Sequence, residues 1–282
     1  MSNTATVLAF DFGASSGRAI RAVYDGQNLT YEEIHRFENV PIEKDGHLCW
    51  DVETLLKEIH TAIQKAGTFD SLGFDTWGVD FGLLDADGHL LANPVHYRDA
   101  RTNGKPEQAA ACMPAEELYA HTGNQIMAIN TLFQLLALQE QEPELLQKAE
   151  QILFMPDLFA ALLGAEPVCE RSIASTSQML DPRTGQWSRE VLTAYGLKEN
   201  HFAPLVASGT VTGTLTTGAK IIAVAGHDTQ CASAAMPCAE EDAEHTAFLS
   251  CGTWSLLGTE LDTPILTADS CQSGLSNELG AN

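Results

Sequence analysis

A strand that ends in an aspartate and a turn of small residues constrains this chain more than any other stretch. The segment reads Leu8-Ala9-Phe10-Asp11-Phe12-Gly13-Ala14-Ser15-Ser16-Gly17-Arg18. The apolar run from Val7 to Phe10 predicts a buried strand, and a second strand is expected from Arg18 to Tyr24. Two glycines and no bulky side chain in the turn let successive backbone N–H groups point inward, which is an arrangement that binds anions.

Polar side chains in this stretch extend the phosphate interpretation. The hydroxyls of Ser15 and Ser16 add donors, and Asp11 stands where a carboxylate can hold a Mg²⁺ ion that bridges phosphates. An ordinary Gly/Ser hairpin turn accounts for the same residues about equally well. The stretch has no Gly-Lys-Ser/Thr, and its turn leads into a strand, so it is neither a P-loop nor a dinucleotide fingerprint.

Composition limits the partners that such a site can have. The chain has 282 residues, 44% of them hydrophobic, which predicts a globular protein of one large or two smaller domains. Its net charge of −23 argues against nucleic acid or an anionic membrane as a partner. A polyphosphate ligand would therefore depend on local donors and Mg²⁺.

Cysteine usage and the N-terminus indicate a cellular compartment. The seven cysteines include no C-x-x-C pair, so reduced thiols are expected and not a disulfide framework or a zinc site. No basic, apolar leader and no run of membrane-spanning length occurs. We therefore expect a cytoplasmic protein.

Hydrophobic periodicity predicts an α/β fold with a mixed sheet and a β-β-β-α-β-α opening. Three strands are expected to form an antiparallel meander, followed by a helix that Asp51 caps. Leu55, Ile59 and Ile63 recur on one face of that helix, and Gly67 ends it.

A second set of candidate residues follows the apolar strand Ile221–Ala225. Asp228 stands there at the expected start of a helix, where α/β sheets place catalytic groups. A carboxylate at this position can take the proton of a substrate hydroxyl during phosphoryl transfer. By position alone, a helix N-cap is the more common role of such an Asp, and His227 is more often a partner of backbone groups than a catalyst.

Two further segments carry binding chemistry. Trp77, Gly78 and Asp80 combine an indole face, a site of close approach and an acceptor, which suits a polyol, although a core Trp beside turn carboxylates is equally consistent. The small residues Cys251-Gly252-Thr253 follow another predicted strand, just as the Gly13–Gly17 turn follows the first strand. Thr253 is expected to donate to a γ-phosphate there, and an ordinary tight turn is the alternative.

Six segments together resemble the FGGY carbohydrate kinase family, and the first of them resembles the first phosphate motif of the wider actin-like superfamily. In order they are Phe12-Gly13-Ala14-Ser15-Ser16-Gly17-Arg18, Glu33-Ile34-His35-Arg36-Phe37, Asp75-Thr76-Trp77-Gly78-Val79-Asp80-Phe81, Tyr97-Arg98-Asp99-Ala100-Arg101-Thr102, Gly226-His227-Asp228-Thr229 and Ser250-Cys251-Gly252-Thr253-Trp254-Ser255. The resemblance implies an actin-like (ribonuclease H-like) ATPase domain at residues 1–240. It also implies that 241–282 begin a second, truncated actin-like domain.

The family resemblance further implies ATP- and Mg²⁺-dependent phosphorylation of a ketose, with L-rhamnulose converted to L-rhamnulose 1-phosphate. The ATP-binding residues it implies are Ala14, Ser15, Ser16, Gly17, Arg18 and Thr253. The sugar-binding residues it implies are Gly78, His227, Asp228 and Thr229, to which the indole and acceptor argument adds Trp77 and Asp80. Asp228 would be the general base, and Asp11 would lie near Mg²⁺, through water.

The same resemblance leaves alternatives for the substrate and the activity. Segments such as 176–181 also resemble family members that act on L-fuculose. A non-catalytic sugar-binding relative is less favoured, because Asp228 is intact. An actin-like ATPase without a sugar substrate is a more remote alternative, which sugar-stimulated turnover would separate from a kinase. The expected partners are ATP and a small ketose only, and the expected assembly is a monomer or a homodimer.

Overall fold

An antiparallel meander at the start of the chain forms one side of the main sheet. The computed structural model describes residues 4–238, 242, 245–252 and 254–281. The strands within these ranges are β1 (Ala5–Phe12), β2 (Ser16–Tyr24), β3 (Leu29–Glu38), β4 (Ile42–Lys44), β5 (His47–Cys49), β6 (Ser71–Thr76), β7 (Phe81–Leu84), β8 (Gln151–Phe154), β9 (Cys169–Glu170), β10 (Leu180–Asp181), β11 (Gln186–Trp187), β12 (Leu205–Val206), β13 (Thr210–Thr214), β14 (Lys220–Ala223), β15 (Ala247–Cys251) and β16 (Ser255–Thr259).

Helices connect and cover these strands. They are α1 (Val52–Ala66), α2 (Lys105–Ala109), α3 (Ala115–Thr122), α4 (Thr131–Gln141), α5 (Pro143–Lys148), α6 (Met155–Leu162), α7 (Arg171–Ala174), α8 (Arg189–Ala194), α9 (Asp228–Ala234) and α10 (Ala268–Gln272). No helix in the described ranges has both the length and the hydropathy needed to cross a bilayer.

The main sheet is mixed, as the sequence predicts. Its strand order is β13-β14-β6-β1-β2-β3. The meander β1-β2-β3 is antiparallel, whereas β6 runs parallel to both β1 and β14. Consequently the carboxyl ends of β1, β6 and β14 meet at one edge of the sheet, which is where α/β folds bind ligands.

One face of β1 is buried and the other is open. Leu8, Phe10 and Phe12 are fully buried, whereas Ala9 between them is exposed. The ring of Phe12 stacks on Phe159 of α6 at 4.8 Å between centroids. Each such buried aromatic contributes about 1.5–3 kcal/mol, so this face anchors the strand and the residues of the opposite face remain available for a site.

Helix α1 begins and ends where the local sequence predicts. The Asp51 side chain accepts a hydrogen bond from the N–H of Thr54, and Gly67 follows the last helical residue. Leu55 and Ile59 are buried against the sheet.

The observed order of elements differs from the predicted β-β-β-α-β-α order in two places. A small hairpin, β4–β5, lies between the meander and α1, and β7 follows β6 before the next helix.

Candidate active site

Two carboxylates meet on the open face of the sheet, at the edge where β1 and β6 end. Asp11 and Asp75 are register partners in this parallel pair, and partners point to the same side. Burial, and then the charges of Asp11 and Asp228, raise the pKa of Asp75 well above its usual range. Asp75 belongs to one of the six family-like segments but was not predicted as a site residue. The sequence signal that could have identified Asp75 is its position at the end of a predicted strand, one residue before Thr76.

Arg18 forms an ion pair with Asp11 across the β1–β2 hairpin. Its Nε and Nη2 atoms lie 2.8 and 2.5 Å from Oδ2 of Asp11, and both side chains are partly exposed. Exposed ion pairs contribute about 1 kcal/mol or less, so the pair separates readily. The guanidinium can then turn to a phosphate and the carboxylate to a cation.

The turn between β1 and β2 leaves backbone donors available. Its ends are closed by the Gly13 N–H, which donates to the Ser16 carbonyl at 2.9 Å, and by Asn39, whose N–H and Nδ2 donate to the carbonyls of Ser15 and Gly13. Within the described residues, no acceptor pairs with the N–H groups of Ala14 and Ser15. Their N–H groups and the two serine hydroxyls can therefore receive an anion.

Gly17, the last small residue of this turn, has a packing role. It is buried in β2, and a Cβ at this position would lie 2.3 Å from Cζ of Phe37. Its φ is not positive, so the turn does not rely on left-handed backbone at Gly17.

The strand β14 delivers Asp228 to the same sheet edge. The Thr76 N–H donates to the Gly226 carbonyl at 2.9 Å, and an isolated parallel bridge joins Thr76 to His227. Oδ1 of Asp228 accepts from the N–H of Thr229 at 2.6 Å and from its hydroxyl at 3.2 Å. Burial raises the pKa of Asp228, and the charge of His227 opposes that rise.

His227 faces Gly78 on one side and a carboxylate on the other. Its Nε2 lies 3.4 Å from Oδ1 of Asp228, while Nδ1 lies 2.8 Å from Oε2 of Glu278. A Cβ on Gly78 would lie 3.3 Å from His227 Nε2, so the missing side chain leaves room for a ligand beside the ring. Glu278 was not identified by sequence reasoning, because no local pattern links it to His227.

The loop between β6 and β7 is strained where it passes this site. Val79 has a φ of 66°, which is rare for a β-branched residue and costs about 1–3 kcal/mol. Two threonines hold it: the Val79 N–H donates to Thr176 Oγ1 at 3.0 Å, and the Thr131 hydroxyl donates to the Val79 carbonyl at 2.6 Å. This restraint keeps the neighbouring Gly78 next to His227.

Trp77 and Asp80 lie behind the loop in a buried hydrogen-bond network. Asp80 is 1% exposed, and its two carboxylate oxygens accept four hydrogen bonds. The donors are Trp50 Nε1 at 2.6 Å, Trp77 Nε1 at 3.0 Å, the N–H of Tyr97 at 3.1 Å and Gln134 Nε2 at 2.8 Å. As placed, Asp80 is engaged by these four donors and holds two indoles in position.

The sheet edge offers a carboxylate ligand for a divalent cation. Asp11 supplies an oxygen ligand type that Mg²⁺ prefers, directly or through water. Burial is the main cause of the raised pKa of Asp75, and the charges of Asp11 and Asp228 add to it; a cation at this edge would offset only those charges.

The structure thus brings Asp11, Arg18, Gly78, His227 and Asp228 to one edge of the sheet. Thr229 lies there too, engaged with Asp228. The predicted ATP contact Thr253 lies outside the described residues.

Comparison with known proteins defines the class to which this fold and site belong. Residues 6–234 match the family model described as the FGGY family of carbohydrate kinases, N-terminal domain. The chain therefore belongs to the FGGY family of carbohydrate kinases.

Among curated relatives, the chain is similar to two proteins named rhamnulokinase. It is 41% identical to that of Bacteroides thetaiotaomicron over 97% of this chain, and 39% identical to that of Enterococcus faecalis over 98%. The chain spans 58% of the length of each.

Solved structures show the same fold. A carbohydrate kinase from Novosphingobium aromaticivorans matches 95% of this chain and 58% of its own with a TM-score of 0.75 at 22% identity. A xylulose kinase from Rhodospirillum rubrum matches 81% of this chain and 51% of its own with a TM-score of 0.70 at 16% identity. The actin-like α/β fold expected from the sequence is confirmed.

Proposed function

We propose that the protein carrying this chain is an ATP- and Mg²⁺-dependent kinase that converts L-rhamnulose to L-rhamnulose 1-phosphate, with Asp228 as the general base. The observation that carries the proposal is the position of Asp228 at the sheet edge, where its Oδ1 lies 3.4 Å from Nε2 of His227 and its charge interacts with those of Asp11 and Asp75. The names of the two curated relatives support the choice of sugar.

The Asp228 carboxylate has one oxygen available for proton transfer. Thr229 and His227 both approach Oδ1, and within the described residues Oδ2 accepts no hydrogen bond. Oδ2 would take the proton from the sugar 1-hydroxyl while that oxygen attacks the γ-phosphorus and the bond to ADP breaks. His227 would donate a hydrogen bond to the sugar from Nε2, in the space that Gly78 leaves open.

The β1–β2 turn would hold the phosphates opposite this base. Its N–H groups and serine hydroxyls provide neutral donors, and Arg18 provides a charge once it leaves Asp11. Mg²⁺ near Asp11 would neutralise charge on the phosphates. Thr253 is proposed as a further ATP contact.

We also propose the domain division stated above, with the first domain ending near residue 240. The family match to residue 234 supports it. A cytoplasmic location and a monomeric or homodimeric state remain predictions.

The test is a coupled ADP-release assay over a panel of ketoses, with the Asp228→Asn variant beside the parent. We expect kcat to fall by about 10²–10⁴-fold, the usual contribution of general-base catalysis, while calorimetry shows sugar binding retained. Asp87→Asn, in the exposed turn after β7, is the matched control and should leave both kcat and sugar binding unchanged.

Two results would count against the proposal in different ways. Near-parental kcat in Asp228→Asn would remove the base from its role. Faster turnover of L-fuculose than of L-rhamnulose would leave the base in place and correct the substrate.

A further inference from the structure

The last described part of the chain returns to the candidate active site. We call residues 264–281 the return segment. Several hydrogen bonds fix its Asn277: among them, its N–H and Nδ2 donate to the Gly123 carbonyl at 2.8 and 3.1 Å, and its Oδ1 accepts from the Ile265 N–H at 2.8 Å. Beyond it, the Leu279 N–H donates to Ser175 Oγ at 3.0 Å. The backbone on both sides of Glu278 is therefore held in place.

Glu278 points from this segment to His227. Its Oε2 lies 2.8 Å from Nδ1 of His227 and 3.0 Å from Nε2 of Gln230, and the side chains of Glu278 and His227 are 22% and 10% exposed. The ionised carboxylate only accepts hydrogen bonds, so Nδ1 carries the proton. The other ring nitrogen, Nε2, is then the one that faces Gly78 and Asp228.

We propose that Glu278 is a positioning residue: through Nδ1 it orients the His227 ring, so that Nε2–H is presented to the sugar and to Asp228. The effect of Glu278 on turnover rests on the proposed function. The contact between Glu278 and His227 can be tested independently of that function.

The charges around His227 determine what Glu278 contributes. Burial disfavours the imidazolium, but Glu278, Asp228 on the next residue and Asp75 on β6 together raise the pKa of His227 to about 9. The result is a carboxylate–imidazolium–carboxylate chain from Glu278 through His227 to Asp228. Because the imidazolium lowers the pKa of Asp228, Glu278 acts indirectly to keep the base ionised near neutral pH.

The Glu278→Gln variant removes the charge and keeps the shape. Loss of a neighbouring carboxylate should lower the pKa of His227 by about 1–3 units, so the alkaline limb of kcat/KM for the sugar moves to lower pH. The pKa of Asp228 should rise as the imidazolium is lost, so the acid limb moves to higher pH. We expect the pH profile to narrow from both sides, with kcat/KM at the optimum reduced by about 10-fold or more.

Ser276→Ala is the matched control for packing of the return segment. Ser276 Oγ accepts from the Gln125 N–H at 2.9 Å and does not contact His227. This variant should loosen the segment and lower the melting temperature while leaving the pH profile unchanged. Equal narrowing in Ser276→Ala and Glu278→Gln would overturn the proposal, since packing alone would then explain the effect.

Histidine NMR gives a readout that needs no turnover. The His227 signal is assigned by its loss in His227→Gln, and its titration is compared in the parent and in Glu278→Gln. A fall in the pKa of His227 by a unit or more supports the proposal even if no ketose is phosphorylated, which would contradict only the proposed function. An unchanged titration overturns it even in an active kinase.

Discussion

Replacing Gly17 by alanine tests whether this glycine serves the phosphate turn or the core. The new Cβ would lie 2.3 and 2.4 Å from two ring atoms of Phe37, whereas ordinary contacts begin near 3.4 Å. The ring must therefore move by about 1 Å, and it packs edge-on against Phe12 at 5.3 Å between centroids. Overpacking of this kind costs about 1–3 kcal/mol. The lower backbone entropy of alanine in the unfolded chain offsets about 0.5–1 kcal/mol of that cost.

We expect Gly17→Ala to lower the free energy of unfolding by about 1–2 kcal/mol in urea denaturation. The double variant Gly17→Ala/Phe37→Leu should recover most of that loss relative to Phe37→Leu alone, because the smaller side chain vacates the clashing volume. Strictly additive effects, or a change below about 0.5 kcal/mol in Gly17→Ala, would refute the packing argument.

The affinity for ATP, measured by calorimetry on the same variants, separates the two roles of Gly17. If the ring transmits the effect, binding weakened in Gly17→Ala should recover in the double variant. If the backbone at Gly17 must approach a phosphate closely, binding should stay weak in both.

Two further predictions concern the buried network and the loop beside it. Burial raises the pKa of Asp80 to about 6, whereas the usual value is 3.8. The folded state therefore favours the protonated carboxyl group. The stability that this group contributes is full below about pH 4 and is lost as the pH rises through about 6. The unfolding free energy of the parent minus that of Asp80→Asn should thus be larger at pH 4 than at pH 7 by about 2 kcal/mol, and urea titrations showing no difference would contradict this. Gly78→Ala would place a Cβ 3.3 Å from His227 Nε2 and 3.2 Å from Thr176 Cγ2, in the space proposed for the sugar. The KM for the sugar should therefore rise about 10-fold in steady-state assays, while the KM for ATP stays constant.

Local patterns in the sequence predicted the parts of this protein that depend on near neighbours. The β1–β2 hairpin, the Asp51 cap with Gly67 at the other end of α1, and Asp228 after a strand were all predicted from short-range signals. Strand alternation, helix capping and turn chemistry act over a few residues, so a single sequence displays them.

Tertiary packing decided the rest of the candidate site. The register of β1 on β6 places Asp75 beside Asp11, although 64 residues separate them in the chain. Likewise Glu278 reaches His227 across 51 residues because Asn277 is anchored on the loop after α3. Asp80 turns inward because two indoles and an amide offer it hydrogen bonds. Such pairings depend on how whole strands and helices fit together, and no periodicity along the chain encodes them.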